Sequence, residues 1–144
     1  MRKTRQAVVL ALLLGLVAVG TASSATQGVL RVRPETVKFG VKPVGSFTLK
    51  GATIKNVSSS TVNLIVTVTR SPDDFGFDIP PTTCPVFEPA PLAPGESCDA
   101  VMHFRPTEFF AGQDQLAQLQ AQATDPATGA VLETVLIDFT GRGK

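Results

Sequence analysis

Hydrophobic and polar residues alternate with a period of two along most of the chain beyond residue 29. Such alternation is typical of β-strands that bury one face and expose the other. Gly, Pro, Asn and Ser interrupt it about every ten residues, where turns are expected. We therefore predict an all-β protein, an immunoglobulin-like antiparallel β-sandwich of seven to nine strands. The apolar sets that define the strands are Leu30/Val32, Val37/Phe39, Phe47/Leu49, Ala52/Ile54, Val62/Leu64/Val66/Val68, Phe75/Phe77/Ile79, Cys98/Ala100/Met102/Phe104 and Val135/Ile137/Phe139.

Two segments depart from this regular alternation. The parity changes between Leu49 and Ala52, and a β-bulge at Lys50–Gly51 would restore it, because a bulge inserts one residue and often uses glycine. Residues 115–123 (QLAQLQAQA) combine a composition that favours helix with an alternation that favours strand. We interpret the region 108–123 as containing a strand because its neighbours are strands, and a helix is the alternative.

The two cysteines of the chain, Cys84 and Cys98, flank a proline-rich turn that ends in Pro94-Gly95. A metal site would require further Cys or His ligands, and His103 is the one histidine. A redox pair usually has the spacing Cys-x-x-Cys. We therefore predict a structural disulfide between Cys84 and Cys98, as is common in exported proteins.

The first 25 residues have the layout of a secretory signal peptide. Arg2, Lys3 and Arg5 precede an apolar run over residues 7–19, and small residues follow. The run is shorter than the roughly 20 residues that span a bilayer, so no stable membrane span is expected after signal removal. Cleavage is expected after Ala25 or after Ala22. We predict a secreted or periplasmic protein with one domain over residues 26–144.

Charge and aromatic content narrow the possible partners. Removing the three leader cations from the 13 basic residues leaves 10 against 12 acidic ones, a net charge of −2. This balance argues against nucleic acid as a partner. The chain contains nine Phe and neither Trp nor Tyr, and because Phe has no polar group we assign these rings to the core.

No arrangement of residues indicates catalysis, a cofactor or a metal. His103 is expected to face solvent between the inward-facing Met102 and Phe104. Asp73, Asp74 and Asp78 lack the spacing of a calcium-binding loop, and we interpret them as acids of turns and strand faces. We predict that the protein is not an enzyme, and we predict no catalytic, cofactor-binding or metal-binding residues.

A series of short motifs occurs in a fixed order along nearly the whole chain after the leader. The motifs are LRVRP from Leu30, VKFG from Val37, VGS from Val44, IKNVS from Ile54, DFGF from Asp74, LAPGESC from Leu92, FRP from Phe104 and FTGRG from Phe139. This series resembles the ASH (abnormal spindle/hydin-type) immunoglobulin-like domains, in particular their bacterial secreted versions. The resemblance implies a sandwich related in shape to major sperm protein domains, with a role in structure or protein contacts and no catalytic residues.

These observations predict an exported, non-enzymatic immunoglobulin-like module with a structural or protein–protein interaction role at the cell envelope. The expected contact is an edge strand offered to a protein partner. The long, uncharged segment with Gln115, Gln118, Gln120 and Gln122 is the candidate edge. The alternative is a periplasmic chaperone or carrier that holds extended segments of other proteins, in a groove with Ile65 or Leu136 at its rim.

Overall fold

The computed structural model describes residues 28–79 and 81–144, so the predicted signal peptide and its cleavage sites lie outside the described residues. The described chain forms nine strands and one turn of 3₁₀ helix, and none of its helices is long and apolar enough to cross a membrane. The prediction of an all-β protein is confirmed. The strands are β1 (Leu30–Arg33), β2 (Thr36–Lys42), β3 (Thr48–Asn56), β4 (Val62–Arg70), β5 (Phe75–Phe77), β6 (Ala90–Leu92), β7 (Ser97–Phe104), β8 (Asp114–Thr124) and β9 (Val131–Gly143), and the 3₁₀ turn is Glu108–Phe110.

The strands form two sheets that pack face to face as an immunoglobulin-like sandwich, as predicted. The four-stranded sheet has the order β1-β3-β7-β5, and the five-stranded sheet has the order β2-β9-β8-β4-β6. All described neighbours are antiparallel except β2 and β9, which are parallel. The chain passes from β1 in one sheet to β2 in the other through Pro34, and this change of sheet leaves β1 and β2 as edge strands.

The core lies between the sheets and is centred on three phenylalanines. The ring of Phe104 lies 4.7 Å from that of Phe75 and 5.5 Å from that of Phe39, measured between centroids. However, Phe47, Phe87 and Phe109 are 57%, 85% and 82% exposed. The assignment of all nine phenylalanines to the core is therefore wrong. These three residues lie outside the strands, before β3, in the disulfide loop and in the 3₁₀ turn, and the absence of a polar group on a ring does not show where in the fold that ring lies.

The bulge predicted at Lys50–Gly51 is absent. The pairing of β3 with β7 is continuous from Thr48 to Lys55, and Leu49 lies on the outer face, opposite His103. Leu49 is 44% exposed, so the change of parity marks apolar residues that face solvent rather than an inserted residue. Register irregularities occur instead between Lys38 and Gly40, between Val68 and Arg70, and between Ala123 and Thr124.

Residues 114–124 form a strand, as predicted, but that strand is not an edge. β8 pairs with β9 along its whole length and with β4 from Gln118 to Thr124. It is the central strand of the five-stranded sheet. The prediction that Gln115, Gln118, Gln120 and Gln122 form an open interaction edge is therefore wrong. Gln118, Gln120 and Gln122 have a strand on both sides, and Gln115 pairs with Gly141 of β9 and has a buried side chain.

The predicted disulfide joins Cys84 and Cys98, with an S–S distance of 2.02 Å and a Cα–Cα distance of 4.9 Å. Both residues are buried in the core cluster. The bridge fastens the loop that precedes β6 to the start of β7. Thr83 N–H adds a hydrogen bond to Asp99 O at 2.8 Å. Val66 N–H of β4 donates to Pro85 O at 2.8 Å, so the loop is held beside both β7 and β4.

Replacing both cysteines with alanine should lower the free energy of unfolding by about 3 kcal/mol, because the bridge restricts the unfolded chain across a short loop. Urea denaturation of the oxidised protein, the reduced protein and the Cys84→Ala/Cys98→Ala variant measures the effect. The variant and the reduced protein should unfold at similar urea concentrations. A reducing agent that leaves the wild-type midpoint unchanged would contradict the expectation.

Candidate functional site

The open edge of the fold lies along the first half of β9, and we call residues 131–137 the open edge. β9 runs from Val131 to Gly143, whereas β2 pairs only with its part from Asp138 onwards. On this side of β9, no other described strand pairs with residues 131–137. The two strands differ in length, 13 residues against seven, so about half of β9 remains without a neighbour.

The backbone groups of Thr134 and Leu136 point out of the sheet at this edge. Asp138 N–H donates to Glu35 O at 3.0 Å, so the backbone of Asp138 faces the β2 side. Because successive residues of a strand direct their backbone groups to opposite sides, Thr134 and Leu136 face the same side as Asp138, while Val135 and Ile137 face β8. The open edge therefore presents unpaired backbone N–H and C=O groups at every second residue, as an added β-strand requires.

A groove of about 670 Å³ separates the open edge from β1, and it is lined by residues of both elements. Val57 N–H donates to Val29 O, so alternation turns the backbone of Leu30 and Val32 towards the groove. Leu30 N–H donates to Glu133 Oε2 at 2.6 Å. Glu133 thus links the two sheets across the inner end of the groove and satisfies one of the two outward donors of β1.

The side chains along the open edge are mostly apolar and accessible. Val131, Leu132 and Leu136 are 57%, 45% and 50% exposed. Glu133 is the one acidic residue of this stretch, and its carboxylate is engaged by β1. An extended peptide could add its backbone to the open edge while its side chains contact Leu136 and the groove. Of the two rim residues predicted from the sequence, Leu136 lies at this groove, whereas Ile65 lies opposite Gln122 on the outer face of the sheet.

The four predicted glutamines divide between the two faces of β8. Gln115 is buried, and its Nε2 donates to Asp74 Oδ2 at 2.5 Å. Gln118 Nε2 donates to Asp138 Oδ1 at 2.9 Å on the outer face, and Gln120 pairs with Leu136 in register. Gln122 Nε2 donates to Thr134 Oγ1 at 3.5 Å. The outer-face glutamines form a row beside the open edge and contribute polar side chains rather than free backbone.

His103 and Asp74, both considered in the sequence, lie in two different groups of contacts. His103 Nδ1 lies 2.7 Å from Asp78 Oδ2, and its ring packs on Phe47 with centroids 5.1 Å apart. Asp74 lies in the turn before β5, and it is fully buried there and accepts hydrogen bonds from Thr107 and Gln115. Among the described residues, no group of three or more His, Cys, Asp or Glu side chains could hold a metal ion.

Sequence reasoning missed the open edge itself. The alternation indicated a last strand only around Val135, Ile137 and Phe139, because Val131 and Leu132 are adjacent apolar residues that break the period. The length of the last segment could have indicated the open edge. The stretch from the turn at residues 125–130 to Gly143 is longer than the segment that forms β2. A long strand beside a short one must leave part of its edge unpaired.

Comparisons with known proteins support the fold. No model of a known protein family matches this sequence, and no curated protein matches it. The ASH/PapD-like domain 7 of human CEP192 is 8% identical, with a TM-score of 0.63 over 98% of each chain. WR4, an MSP family member of C. elegans, is 13% identical, with a TM-score of 0.51 over 81% of this chain and 99% of that one.

A bacterial protein shares the same architecture. The E. coli chaperone DraB is 14% identical, with a TM-score of 0.54 over 79% of this chain and 54% of its own. The chain therefore has the immunoglobulin-like fold of ASH, PapD-like and MSP domains, as the sequence resemblance implies.

Proposed function

Given an immunoglobulin-like fold of the ASH and PapD-like type, we propose that this protein is an exported, non-enzymatic module that binds an extended segment of a protein partner at the open edge of β9. Residues 1–25 would act as the signal peptide, and residues 26–144 would form the single mature domain at the cell envelope, in the periplasm or outside the cell. The observation that carries the proposal is the unpaired stretch from Val131 to Ile137 beside an open groove.

An open strand edge can bind an extended segment through backbone hydrogen bonds and fix its register at the same time. Backbone hydrogen bonds from an added strand would satisfy Thr134 and Leu136, and alternate side chains would enter the groove or lie on the outer face. Arg31, Arg33 and Glu35 line the groove, so a partner segment with both polar and apolar residues fits this surface. The buried disulfide supports export, because such bridges persist in oxidising compartments.

A second candidate function is that of a periplasmic chaperone or carrier, which holds extended segments of several proteins. The likeness in fold to the E. coli chaperone DraB favours it. This candidate uses the same edge, and it differs in that binding would be tolerant of sequence. Peptides with unrelated side chains but a common extended backbone would then bind with similar affinity.

Hydrogen exchange of the free protein tests whether the edge is open. We expect the amides of Thr134 and Leu136 to exchange fast, because they face away from β8, and those of Val135 and Ile137 to be protected by their bonds to β8. NMR detection of amide exchange in the protein without its leader resolves the four residues. Equal protection of all four amides would mean that the edge is covered, and the proposal would fail.

Binding is tested with heptapeptides selected from a random phage-displayed library on the wild-type domain. Thr134→Pro removes the outward N–H and is tolerated at an unpaired strand edge, so we expect the domain to fold and peptide affinity to fall at least tenfold. Thr134→Val keeps the N–H and the side-chain size and is the matched control. Fluorescence anisotropy with the selected peptides should show wild-type affinity for Thr134→Val. Unchanged affinity for Thr134→Pro would contradict binding at the open edge.

A further inference from the structure

Two adjacent phenylalanines lie in the loop between β7 and β8, Phe109 exposed and Phe110 half-buried beside it, and we call this pair the aromatic tip. Phe109 is 82% exposed, and the two rings meet edge to face with centroids 4.7 Å apart. Burial of such rings is normally the main apolar contribution of a Phe residue to folding. Here the exposed ring of Phe109 contributes little to the core, so its apolar surface is available for a contact outside the domain.

The loop presents this tip in a defined position. Ala111 N–H donates to Glu108 O at 3.2 Å, Gln113 N–H donates to Phe110 O at 3.0 Å, and Gly112 N–H donates to Gly143 O at 2.9 Å. The last of these bonds fastens the loop to the end of β9. The exposed ring of Phe109 therefore sits on a hydrogen-bonded turn at the end of the sandwich. The loop backbone is already fixed, so little conformational entropy is lost when this ring enters an apolar phase.

Basic residues surround the tip. Gly143, which bonds the loop, lies between Arg142 and Lys144 in the chain and pairs with Lys42 of β2. Arg105 is exposed at the start of the same loop. Two exposed acids lie at this end of the fold, Glu108 and Asp114, and Asp114 lies 3.7 Å from Arg142. A third acid, Asp74, is fully buried and accepts a hydrogen bond from Thr107 Oγ1 at 2.7 Å. The rim of the tip thus carries more positive than negative side chains, although the chain without its leader is acidic.

From this arrangement we propose that the aromatic tip inserts into the surface of an anionic lipid bilayer and orients the domain on it. Exposed apolar side chains with a basic rim are the combination that binds membrane interfaces, where rings enter the acyl boundary and cations contact lipid phosphates. A fluid bilayer accommodates an exposed ring such as that of Phe109 without a preformed pocket, whereas a protein partner would need a matching one. The open edge of β9 lies towards the opposite end of the β8–β9 pair and would remain free.

The test uses tryptophan fluorescence, because the chain contains no Trp or Tyr. Phe109→Trp places a single reporter on the tip, and Phe87→Trp is the matched control. Phe87 is 85% exposed in the disulfide loop, which contacts the middle of β4 through the bond from Val66 N–H to Pro85 O. The protein without its leader is titrated with vesicles of phosphatidylcholine alone and of phosphatidylcholine with phosphatidylglycerol.

We expect a blue shift of the Phe109→Trp emission with the anionic vesicles, and quenching by brominated acyl chains in the same vesicles. Phe87→Trp should show neither. Vesicle co-sedimentation should weaken about tenfold or more for Phe109→Ala/Phe110→Ala, since each ring leaves an apolar phase. Lys42→Gln/Arg105→Gln should also weaken it, by about fivefold for each cation removed near an anionic surface.

Several results would overturn the proposal. One is an unshifted emission of folded Phe109→Trp with anionic vesicles, and another is an equal shift of both tryptophans. A blue shift that appears without vesicles and grows with protein concentration would assign the tip to contact between copies of the chain. Because Phe109 is exposed, Phe109→Trp should unfold at the wild-type temperature. Phe110 is half-buried, so a thermal melt first establishes that Phe109→Ala/Phe110→Ala is folded at the temperature of the vesicle assays.

Discussion

Replacing Asn56 with alanine is expected to lower the free energy of unfolding by about 3–5 kcal/mol, because several buried backbone groups would lose their partners together. Asn56 ends β3 and is fully buried. Its Nδ2 donates to Leu92 O and to Ser60 O, both at 2.8 Å. Its Oδ1 accepts from Ser58 N–H at 2.9 Å and from Ser58 Oγ at 2.7 Å. One side chain thus joins β6 to the turn between β3 and β4.

Alanine would leave the carbonyl of Leu92 in an apolar surrounding without a donor. Water could reach the backbone groups of Ser58 and Ser60, which are less buried, so the loss of their partner would lower the free energy of unfolding less. Asn56→Asp separates the two halves of the network, because a carboxylate keeps the bonds from Ser58 and loses the donors to Leu92 and Ser60. We expect the aspartate variant also to be destabilised, since it places a carboxylate oxygen against two carbonyl oxygens.

Urea denaturation of Asn56→Ala, Asn56→Asp and Asn63→Ala measures these effects. Asn63 is the matched control, because it is half-buried on the outer face of β4 and has no side-chain hydrogen bond in the described part of the chain. Its replacement should change stability by roughly 0.5 kcal/mol or less. If Asn56→Ala unfolds at the same urea concentration as Asn63→Ala, the network does not hold the turn and β6 in place.

The role of Asn56 shows which part of the fold the sequence could predict. Period-two alternation and turn residues locate the strands, because burial of one face leaves that pattern directly in the chain. The Asn and Ser residues between Ile54 and Val62 indicate a turn, and β3 does end at Asn56 before β4 begins at Val62. The partner Leu92 is 36 residues away, and no local pattern reports a contact of that kind. Asp74 was missed for the same reason, because its donor Gln115 is 41 residues away.

Strand order is the second limit of sequence reasoning. A central strand and an edge strand of the same sheet have the same alternation, so the glutamine row of β8 did not reveal that both of its neighbours are strands. The disulfide was predictable because two cysteines allow one pairing. The open edge of β9 depends on the relative lengths of β2 and β9, a difference that becomes visible only when the two strands are placed side by side.

The motif FTGRG at the end of β9 contacts the motif FRP that begins at Phe104, although the two are distant along the chain. A Cβ atom on Gly143 would lie 2.8 Å from the Cβ of Pro106, and a Cβ on Gly141 would lie 2.7 Å from Cε1 of Phe104. The glycines of the terminal motif are therefore required by the residues Phe104 and Pro106 at the end of β7. The requirement concerns space rather than backbone conformation, since both glycines lie in the extended strand β9.

This contact leads to the second large effect that we expect. Phe104→Ala should lower the free energy of unfolding by about 3–5 kcal/mol, because it removes a fully buried ring and leaves a cavity. Gly141→Ala should cost about 1–3 kcal/mol, since the added methyl overlaps the ring of Phe104. The ring cannot move away easily, because Phe39 and Phe75 pack against it with centroids 5.5 Å and 4.7 Å away.

The two substitutions should not add. Once the ring of Phe104 is gone, a methyl group on residue 141 occupies part of the cavity, so Gly141→Ala should cost nothing or stabilise the Phe104→Ala protein. We expect a coupling free energy of about 2 kcal/mol in the double-mutant cycle, measured by urea denaturation. Gly76→Ala is the control, because its methyl would overlap the ring of His103, which is 27% exposed and can turn towards solvent. Additive effects of Gly141→Ala and Phe104→Ala would contradict this expectation. They would mean that the backbone of β9 shifts to accommodate the added methyl group, and that the ring of Phe104 does not require glycine at position 141.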